Sequence, residues 1–266
     1  MKNIHHILSI LIITIFYSCA GTKTGTELSI KEKFEIGMEN LENEKYLQAQ
    51  LDFNNVLIRG TGSDYGDDAQ FYLGESYYRN EEYLSAITEF EKLTRRMGFS
   101  EYVEEARFKI CESYKIESPK YFHDQEYTQK ALERYQEFID DYPKSKYLSL
   151  ILLSIKDLRN KMATKLYQTG ILYIKMEEYP SAKIAFKNAI DSYYDTDIIH
   201  LAKQGLIIAS AKNLEIASAI ELLSQNELSL KDNKLYKEAS LAIRINKKIL
   251  DKINWWGYVY LGVLLI

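Results

Sequence analysis

Thiol and imidazole groups are the side chains of this sequence best suited to chemistry, and their spacing argues against catalysis. The 266 residues contain two cysteines, Cys19 and Cys111, and four histidines. Two histidines lie at the extreme N-terminus, and His123 and His200 stand alone, so none has metal-ligand spacing. The sequence has no nucleophile elbow, P-loop or GxGxxG motif. It therefore predicts a protein that is not an enzyme and holds neither a metal nor a cofactor.

Cys19 has a context typical of a different reaction, the attachment of lipid. Lys2 and the apolar run Ile4 to Phe16 have the pattern of a signal peptide, and the run is shorter than the roughly 20 residues of a membrane span. Ser18 is a small residue directly before Cys19, which resembles the lipobox of bacterial lipoproteins. Cleavage before Cys19 would leave its thiol and amine to carry acyl chains, each buried CH₂ contributing roughly 0.8 kcal/mol to anchoring. The alternative is an ordinary signal peptide followed by an incidental cysteine.

Composition favours a helical protein that does not bind nucleic acid. The chain contains 22 Tyr but only 12 Gly and 3 Pro, which suits long helices with bulky packing. Its 34 basic and 38 acidic residues give a net charge of −4, whereas nucleic-acid surfaces are normally basic.

Three segments share a Gly, an Ala 12 residues later and a Phe 16 residues later. The spacing predicts pairs of helices that cross closely at the small residues, with the Phe filling the gap beside them. Such pairs form repeat arrays, which mostly bind other chains. The triples are Gly37, Ala49 and Phe53; Gly74, Ala86 and Phe90; and Gly170, Ala182 and Phe186.

The same pattern divides the chain into five predicted helix pairs. Repeat one covers about Ser29 to Arg59 and repeat two Asp67 to Met97. Repeat three starts near Glu104, has Cys111 in the Gly position, and contains an insertion from about Glu117 to Asp124.

Repeats four and five follow an additional helical stretch. No Gly or Pro lies between Tyr147 and Gly170, so this stretch is expected to continue into repeat four as one long helix. Repeat five is degraded: Ile198 to Leu223 is strongly helical, Asn226 to Asn233 is expected to be an insertion, and Lys234 to Leu250 the closing helix, with Ala239 in the Ala position.

The expected fold class is all-α, with about five tetratricopeptide-like helix pairs stacked as an α-solenoid. The expected divisions are a signal peptide (1–18), a lipidated tether (19–28), repeats one to three (29–146), the linking helix with repeats four and five (147–252), and an apolar C-terminal tail (253–266).

The Gly, Tyr, Ala, Phe and Pro positions resemble the tetratricopeptide repeat. With five repeats, the long helix and the lipobox, the chain resembles the BamD (YfiO) type of outer-membrane assembly lipoprotein from about Glu27 to Leu250. The segments most similar to that family are Gln70 to Arg96, Ala131 to Tyr147 and Lys165 to Ile190.

The resemblance implies a lipid-anchored protein on the periplasmic face of the outer membrane. The implied partners are the barrel-assembly pore protein, other assembly lipoproteins and unfolded outer-membrane proteins, with no nucleic acid. It also implies that the C-terminal repeats face the pore protein and that the N-terminal repeats offer a groove for substrate. The alternatives are an adaptor for another cell-envelope complex and, less in keeping with this length, a glycan-capture lipoprotein.

A ladder of first-helix aromatics is the candidate peptide groove. It lies on the side that faces the groove in tetratricopeptide arrays, and an apolar-aromatic strip suits the alternating segments of unfolded barrels. The alternative is that these rings belong to the core between repeats. The ladder residues are Phe34, Phe71, Phe108 and Tyr167. Leu41 and Tyr78 follow one turn beyond the small residue, and Glu75 and Arg79 are candidate polar partners.

The tail from Asn254 to Ile266 is apolar but too short to span a bilayer. It is compatible with an interfacial anchor that has Trp255 and Trp256 at headgroup level, with packing on the last repeat, or with an altered chain end.

Overall fold

The computed structural model describes residues 28–60, 62–230 and 234–264, with side chains in the last helix described as far as Trp256. These residues form twelve α-helices and no strand, which confirms the all-α class with stacked neighbouring helix pairs. The predicted signal peptide and the predicted lipidation site, Cys19, lie outside the described residues. The chain divides after Tyr102 into two compact units.

Two helix pairs make up the first unit. Its helices are α1 (Ile30–Glu42), α2 (Tyr46–Arg59), α3 (Gly66–Arg79) and α4 (Tyr83–Arg96). Ser29 begins α1 with a capping box, in which its hydroxyl accepts from the Glu32 N–H and the Glu32 carboxylate accepts from the Ser29 N–H.

Three helix pairs and a long final helix make up the second unit. Its helices are α5 (Val103–Glu117), α6 (Glu126–Asp141), α7 (Leu148–Lys175), α8 (Tyr179–Ser192), α9 (Ile199–Lys212), α10 (Ile216–Gln225), the short α11 (Glu227–Leu230) and α12 (Lys234–Leu264).

In four of the pairs, the same type of turn connects the first helix to the second. Its central residue has a positive φ of 60 to 63°, and the next residue donates its N–H to the carbonyl oxygen five residues earlier, at 2.8 to 3.0 Å. This geometry satisfies carbonyl groups that the end of a helix leaves free. The central residues are Glu44, Glu81, Glu177 and Leu214.

The close helix crossing predicted from the Gly–Ala–Phe spacing is confirmed. A Cβ built on Gly170 would lie 2.5 Å from Cε1 of Phe186, and one on Gly74 would lie 2.7 Å from Cδ1 of Phe90. Both Phe side chains are fully buried. Only glycine therefore lets the first helix approach the ring on the second.

The third pair has different residues at the close crossing. Cys111 is 1% exposed in the glycine position, and it packs in one cluster with Ala131 and Tyr135. The predicted long turn is present between α5 and α6, and Gln125 closes it by donating to the carbonyl oxygens of Lys120 and His123.

The predicted continuous helix before repeat four is confirmed, since α7 runs for 28 residues. The first half of α7 forms hydrogen bonds to the loop that follows α8. Arg159 donates from Nε and Nη2 to both oxygens of Asp195, at 2.6 to 3.1 Å, and from Nη2 to the carbonyl oxygen of Ser192 at 3.0 Å. A bidentate guanidinium pair of this kind fixes orientation as well as distance.

The prediction for repeat five was wrong. Its turn lies at residues 213–215, so α10 closes the pair and Lys234–Leu264 is a further helix. Residues 227–230 of the expected insertion are helical, and residues 231–233 lie outside the described residues. Ala219, not Ala239, follows the turn at the Ala position, although both are fully buried against α9.

A polar contact between neighbouring pairs supports this correction. Gln50 of α2 donates to Glu82, the residue that caps α4, at 3.3 Å. Lys183 of α8 contacts Glu215, the residue that caps α10, at 2.5 Å. Both contacts join residues 32 positions apart, so α10 occupies in repeat five the place that α4 occupies in repeat two.

Gly170→Ala is expected to destabilise the protein by about 1 to 3 kcal/mol, because a new methyl group would overlap a ring that has no room to move. Gly66→Ala is the matched control, since nothing lies within 4 Å of its Cβ position. Thermal or urea unfolding measures both. Equal stabilities for the two variants would contradict the close crossing.

The contact between Lys183 and Glu215 is expected to make stability depend on pH. Lys183, and then Asn213, hold the pKa of Glu215 below its ordinary value of 4.5. A lowered carboxyl pKa contributes stability above the unfolded value, and the contribution disappears as the pH falls through the folded pKa.

Lys183→Met should therefore cost about 0.5 kcal/mol at pH 7, since the pair is partly exposed, and almost nothing well below pH 4. Lys187→Met on the same helix serves as the control. Urea unfolding at several pH values measures the difference, and a loss that does not change with pH would contradict the assignment.

Candidate peptide-binding surface

The aromatic ladder in the first unit joins helices to one another. The Phe34 ring lies 5.7 Å from the Phe53 ring, within its own pair, and 6.0 Å from Tyr72 of the next pair. Phe71 is 4% exposed, and its ring stacks on Tyr102 at 4.5 Å. These rings therefore supply packing area within and between the helix pairs.

The ladder residues of the second unit have the same kind of neighbours. Phe108 stacks almost parallel on Tyr147, with ring centroids 4.0 Å apart. Tyr167 lies 5.8 Å from Phe186, and burial raises the pKa of its hydroxyl. Both rings are partly buried.

Three of the eight candidate residues are too buried to contact a ligand, and one of them is Glu75, which is 7% exposed. Phe71 is 4% exposed and Leu41 is 2% exposed. The expectation that they line an open strip is wrong, because successive pairs pack tightly enough to enclose them. Peptide binding by the remaining candidates stays a prediction.

Three candidates lie together at the end of α3, where Tyr78 and Arg79 reach the surface of the first unit and Glu75 is buried beside them. Arg79 is exposed, and its Nε donates to Oε1 of Glu75 at 2.8 Å. The Tyr78 ring packs edge-on against Tyr83 at 5.4 Å. A partly exposed aromatic ring beside a guanidinium can contact both the apolar and the polar side chains of an extended peptide.

A groove that the sequence analysis missed crosses α2, α3 and α4. Its volume is about 590 Å³. Leu47 and Leu51, with 65% and 58% of their surface exposed, form part of its apolar wall. The lining residues are Leu47, Gln50, Leu51, Asn54, Leu57, Gln70, Leu73, Tyr77, Glu89, Lys92 and Arg96.

The polar groups of this groove hold one another in place. Lys92 Nζ lies 2.7 Å from Glu89 Oε1, and Gln70 donates to Glu89 Oε2 at 2.9 Å. Leu47 and Leu51 stand one helical turn apart on the side of α2 away from Ala49 and Phe53. That spacing of apolar residues is the signal by which the sequence could have shown the groove.

A cluster of polar side chains in the second unit stabilises the fold through hydrogen bonds between its members. Tyr135 donates to Glu112, and Lys115 Nζ donates to Ser154 Oγ at 2.8 Å. Burial, and then the bond to Glu112, raise the pKa of Tyr135. Each of these four polar groups thus has a partner, which buried polar side chains require.

Cys111 is the free cysteine among the described residues, and its environment is that of an inert thiol. Burial raises the pKa of its thiol, with the nearby Glu112 acting in the same direction. A thiol that stays protonated is a poor nucleophile.

Within the described ranges, no group of three or more His, Cys, Asp or Glu side chains could hold a metal ion. No helix in those ranges is both long enough and apolar enough to cross a bilayer.

Phe71→Ala is expected to cost about 3 kcal/mol of stability, because it removes a buried ring from contact with Tyr102 and Phe90. Phe99→Ala is the control, since that ring is fully exposed. Chemical denaturation compares them. A Phe71 variant as stable as the Phe99 variant would show that the ring is available for binding.

Solved structures similar to this chain are tetratricopeptide-repeat proteins. They include the P58(IPK) repeat domain (13% identity, TM-score 0.42, covering 84% of this chain and 57% of that one). Another is the TPR2AB domain in the pHSP90 complex of yeast Sti1, with 14% identity and a TM-score of 0.41. The match covers 84% of this chain and 92% of that one. A third is a tetratricopeptide repeat protein of Parabacteroides merdae, with 12% identity and a TM-score of 0.36. The match covers 82% of this chain and 73% of that one. The chain spans 57% of the first of these.

No curated protein sequence matches the chain. The family of YfiO outer membrane lipoproteins matches residues 26–225, a range that contains all five helix pairs. That range is well over half of the 266 residues. The chain belongs to the YfiO family of outer membrane lipoproteins.

Proposed function

We propose that this protein is a non-catalytic scaffold of the β-barrel assembly machinery, anchored through Cys19 to the periplasmic face of the outer membrane. It binds the barrel-assembly pore protein and other assembly lipoproteins, and it receives unfolded outer-membrane proteins. The family match over all five helix pairs is the observation that supports this function.

The first unit is the proposed substrate side. Strands of outer-membrane barrels alternate apolar and polar residues. The groove across α2, α3 and α4 offers the exposed Leu47 and Leu51 to the apolar residues and Lys92 and Arg96 to the polar ones. The surface of Tyr78 and Arg79 is the second candidate, retained from the sequence.

Variants separate the two surfaces. Leu47→Glu with Leu51→Glu is expected to weaken binding of an alternating barrel-strand peptide at least about tenfold, because burial of each Leu contributes about 1.5 to 3 kcal/mol. Tyr78→Ala with Arg79→Glu tests the other surface. Met176→Glu with Ile184→Glu, at exposed positions of the second unit, is the control.

Fluorescence anisotropy of the labelled peptide measures the affinity, and circular dichroism checks that each variant is folded. Loss of binding in one of the two surface variants identifies the substrate surface. Unchanged affinity in both would contradict substrate binding by the first unit.

Capture of the protein from native outer membranes tests the partners. Recovery of the barrel-assembly pore protein is expected. Recovery of a nutrient transporter or of peptidoglycan-bound division proteins in its place would contradict the proposal and favour an adaptor of another envelope complex. Binding of glycans in calorimetry would favour glycan capture.

A further inference from the structure

The final helix, α12, has an inward face that completes the second unit. Ala239 is fully buried and Ile243 is 7% exposed. Leu235 and Leu250 pack against the same cluster. These positions repeat with helical spacing, so one side of α12 packs in the hydrophobic core of the second unit.

A second apolar face of α12 points away from that core. Its members follow at intervals of four, four, four and three residues, and between 44% and 63% of each is exposed. We call them the outer stripe: Leu241, Ile245, Ile249, Ile253 and Trp256. Two apolar faces on one helix exceed what packing on the second unit requires.

The helix continues past the last residue that packs. Every side chain from Asp251 to Trp256 is exposed. The indole rings of Trp255 and Trp256 contact each other edge-on, with centroids 5.2 Å apart. The backbone remains helical to Leu264, and the sequence from Ile253 onward contains no charged residue.

The charge of α12 is opposite to that of the whole chain. Residues 234–256 contain six basic and two acidic side chains, a net charge of +4, whereas the chain carries −4. Arg244, Lys248 and Lys252 lie one turn apart beside the outer stripe, on one flank of it. A basic flank beside an apolar face with tryptophan is the pattern of helices that lie in the surface of a membrane.

We propose that the outer stripe of α12 binds the surface of a bilayer that contains anionic phospholipid, with Trp255 and Trp256 at the level of the headgroups. A second copy of this chain is the competing occupant, since the residues outside 234–256 carry a net charge of −8. The two adjacent tryptophans at the exposed end of the stripe favour the bilayer, because indole rings concentrate at the level of the headgroups. This contact goes beyond the proposed function and is independent of the lipid on Cys19.

The tryptophans themselves report on the proposal, because they are the two in the chain. The experiment uses the chain from residue 19 on, which keeps every described residue, with Cys19→Ser so that no acyl group contributes. Vesicles of phosphatidylcholine, with and without phosphatidylglycerol, are added while tryptophan emission is recorded. A shift of the emission to shorter wavelength with phosphatidylglycerol vesicles is expected, and no shift would overturn the proposal.

Three variants define the site. Ile249→Glu with Ile253→Glu should abolish the shift, whereas Leu150→Glu with Leu153→Glu, equally exposed on α7, should leave it unchanged. Lys248→Gln with Lys252→Gln should weaken binding about thirtyfold, at about 1 kcal/mol per lysine and 1.4 kcal/mol per factor of ten.

Two results would contradict the site even if vesicles bind. One is an equal loss of the emission shift in the α7 control variant, which would indicate non-specific adhesion of the protein surface to vesicles. The other is a shift that grows with protein concentration in the absence of lipid, which would identify a second copy of the chain as the occupant. Circular dichroism confirms that each variant retains its helices.

Discussion

The contact between a glycine on one helix and a phenylalanine on the next is the constraint on which three of the five helix pairs depend. At Gly170 and Gly74 there is no space for even a methyl group, because the ring of Phe186 or Phe90 fills it. The contact fixes how closely the two helices approach and therefore where every other side chain of the pair lies. A neighbouring pair can use the same ring: a Cβ on Gly205 of repeat five would lie 2.6 Å from Phe186.

This packing decides which aromatics are left for binding. Within the first unit Phe71 stacks on Tyr102, and within the second unit Phe108 lies flat on Tyr147. Rings placed one turn from the glycine therefore stabilise the stack. The two proposed peptide surfaces are the groove lined by Leu47 and Leu51 and the end of α3 at Tyr78 and Arg79.

The sequence predicted the elements whose signals are local. The Gly–Ala–Phe spacing located the close crossings, and the absence of Gly and Pro before Gly170 predicted the long helix α7. The fifth turn was missed because the apolar Leu214 occupies the positive-φ position that a Glu holds in the other three turns, so the segment has the pattern of a continuous helix. The remaining signal was the Asn213-to-Glu215 spacing, which repeats that of Asn80 and Glu82.

The candidate site was harder to predict, because burial depends on neighbours distant in sequence. Periodicity placed Phe34, Phe71 and Phe108 on equivalent sides of their helices. It could not show that Tyr72, Tyr102 and Tyr147 cover them. The sequence singled out Trp255 and Trp256 but not the rest of the outer stripe, because the spacing of apolar residues along α12 does not show which of them the core covers.

Assembly of barrel proteins is the central claim, and depletion of this protein from its native cells tests it most directly. Quantitative proteomics of the outer membrane would follow depletion before growth stops. Integral β-barrel proteins are expected to decline together while other outer-membrane lipoproteins keep their levels. Unchanged barrel levels, with loss of a different envelope complex, would contradict it.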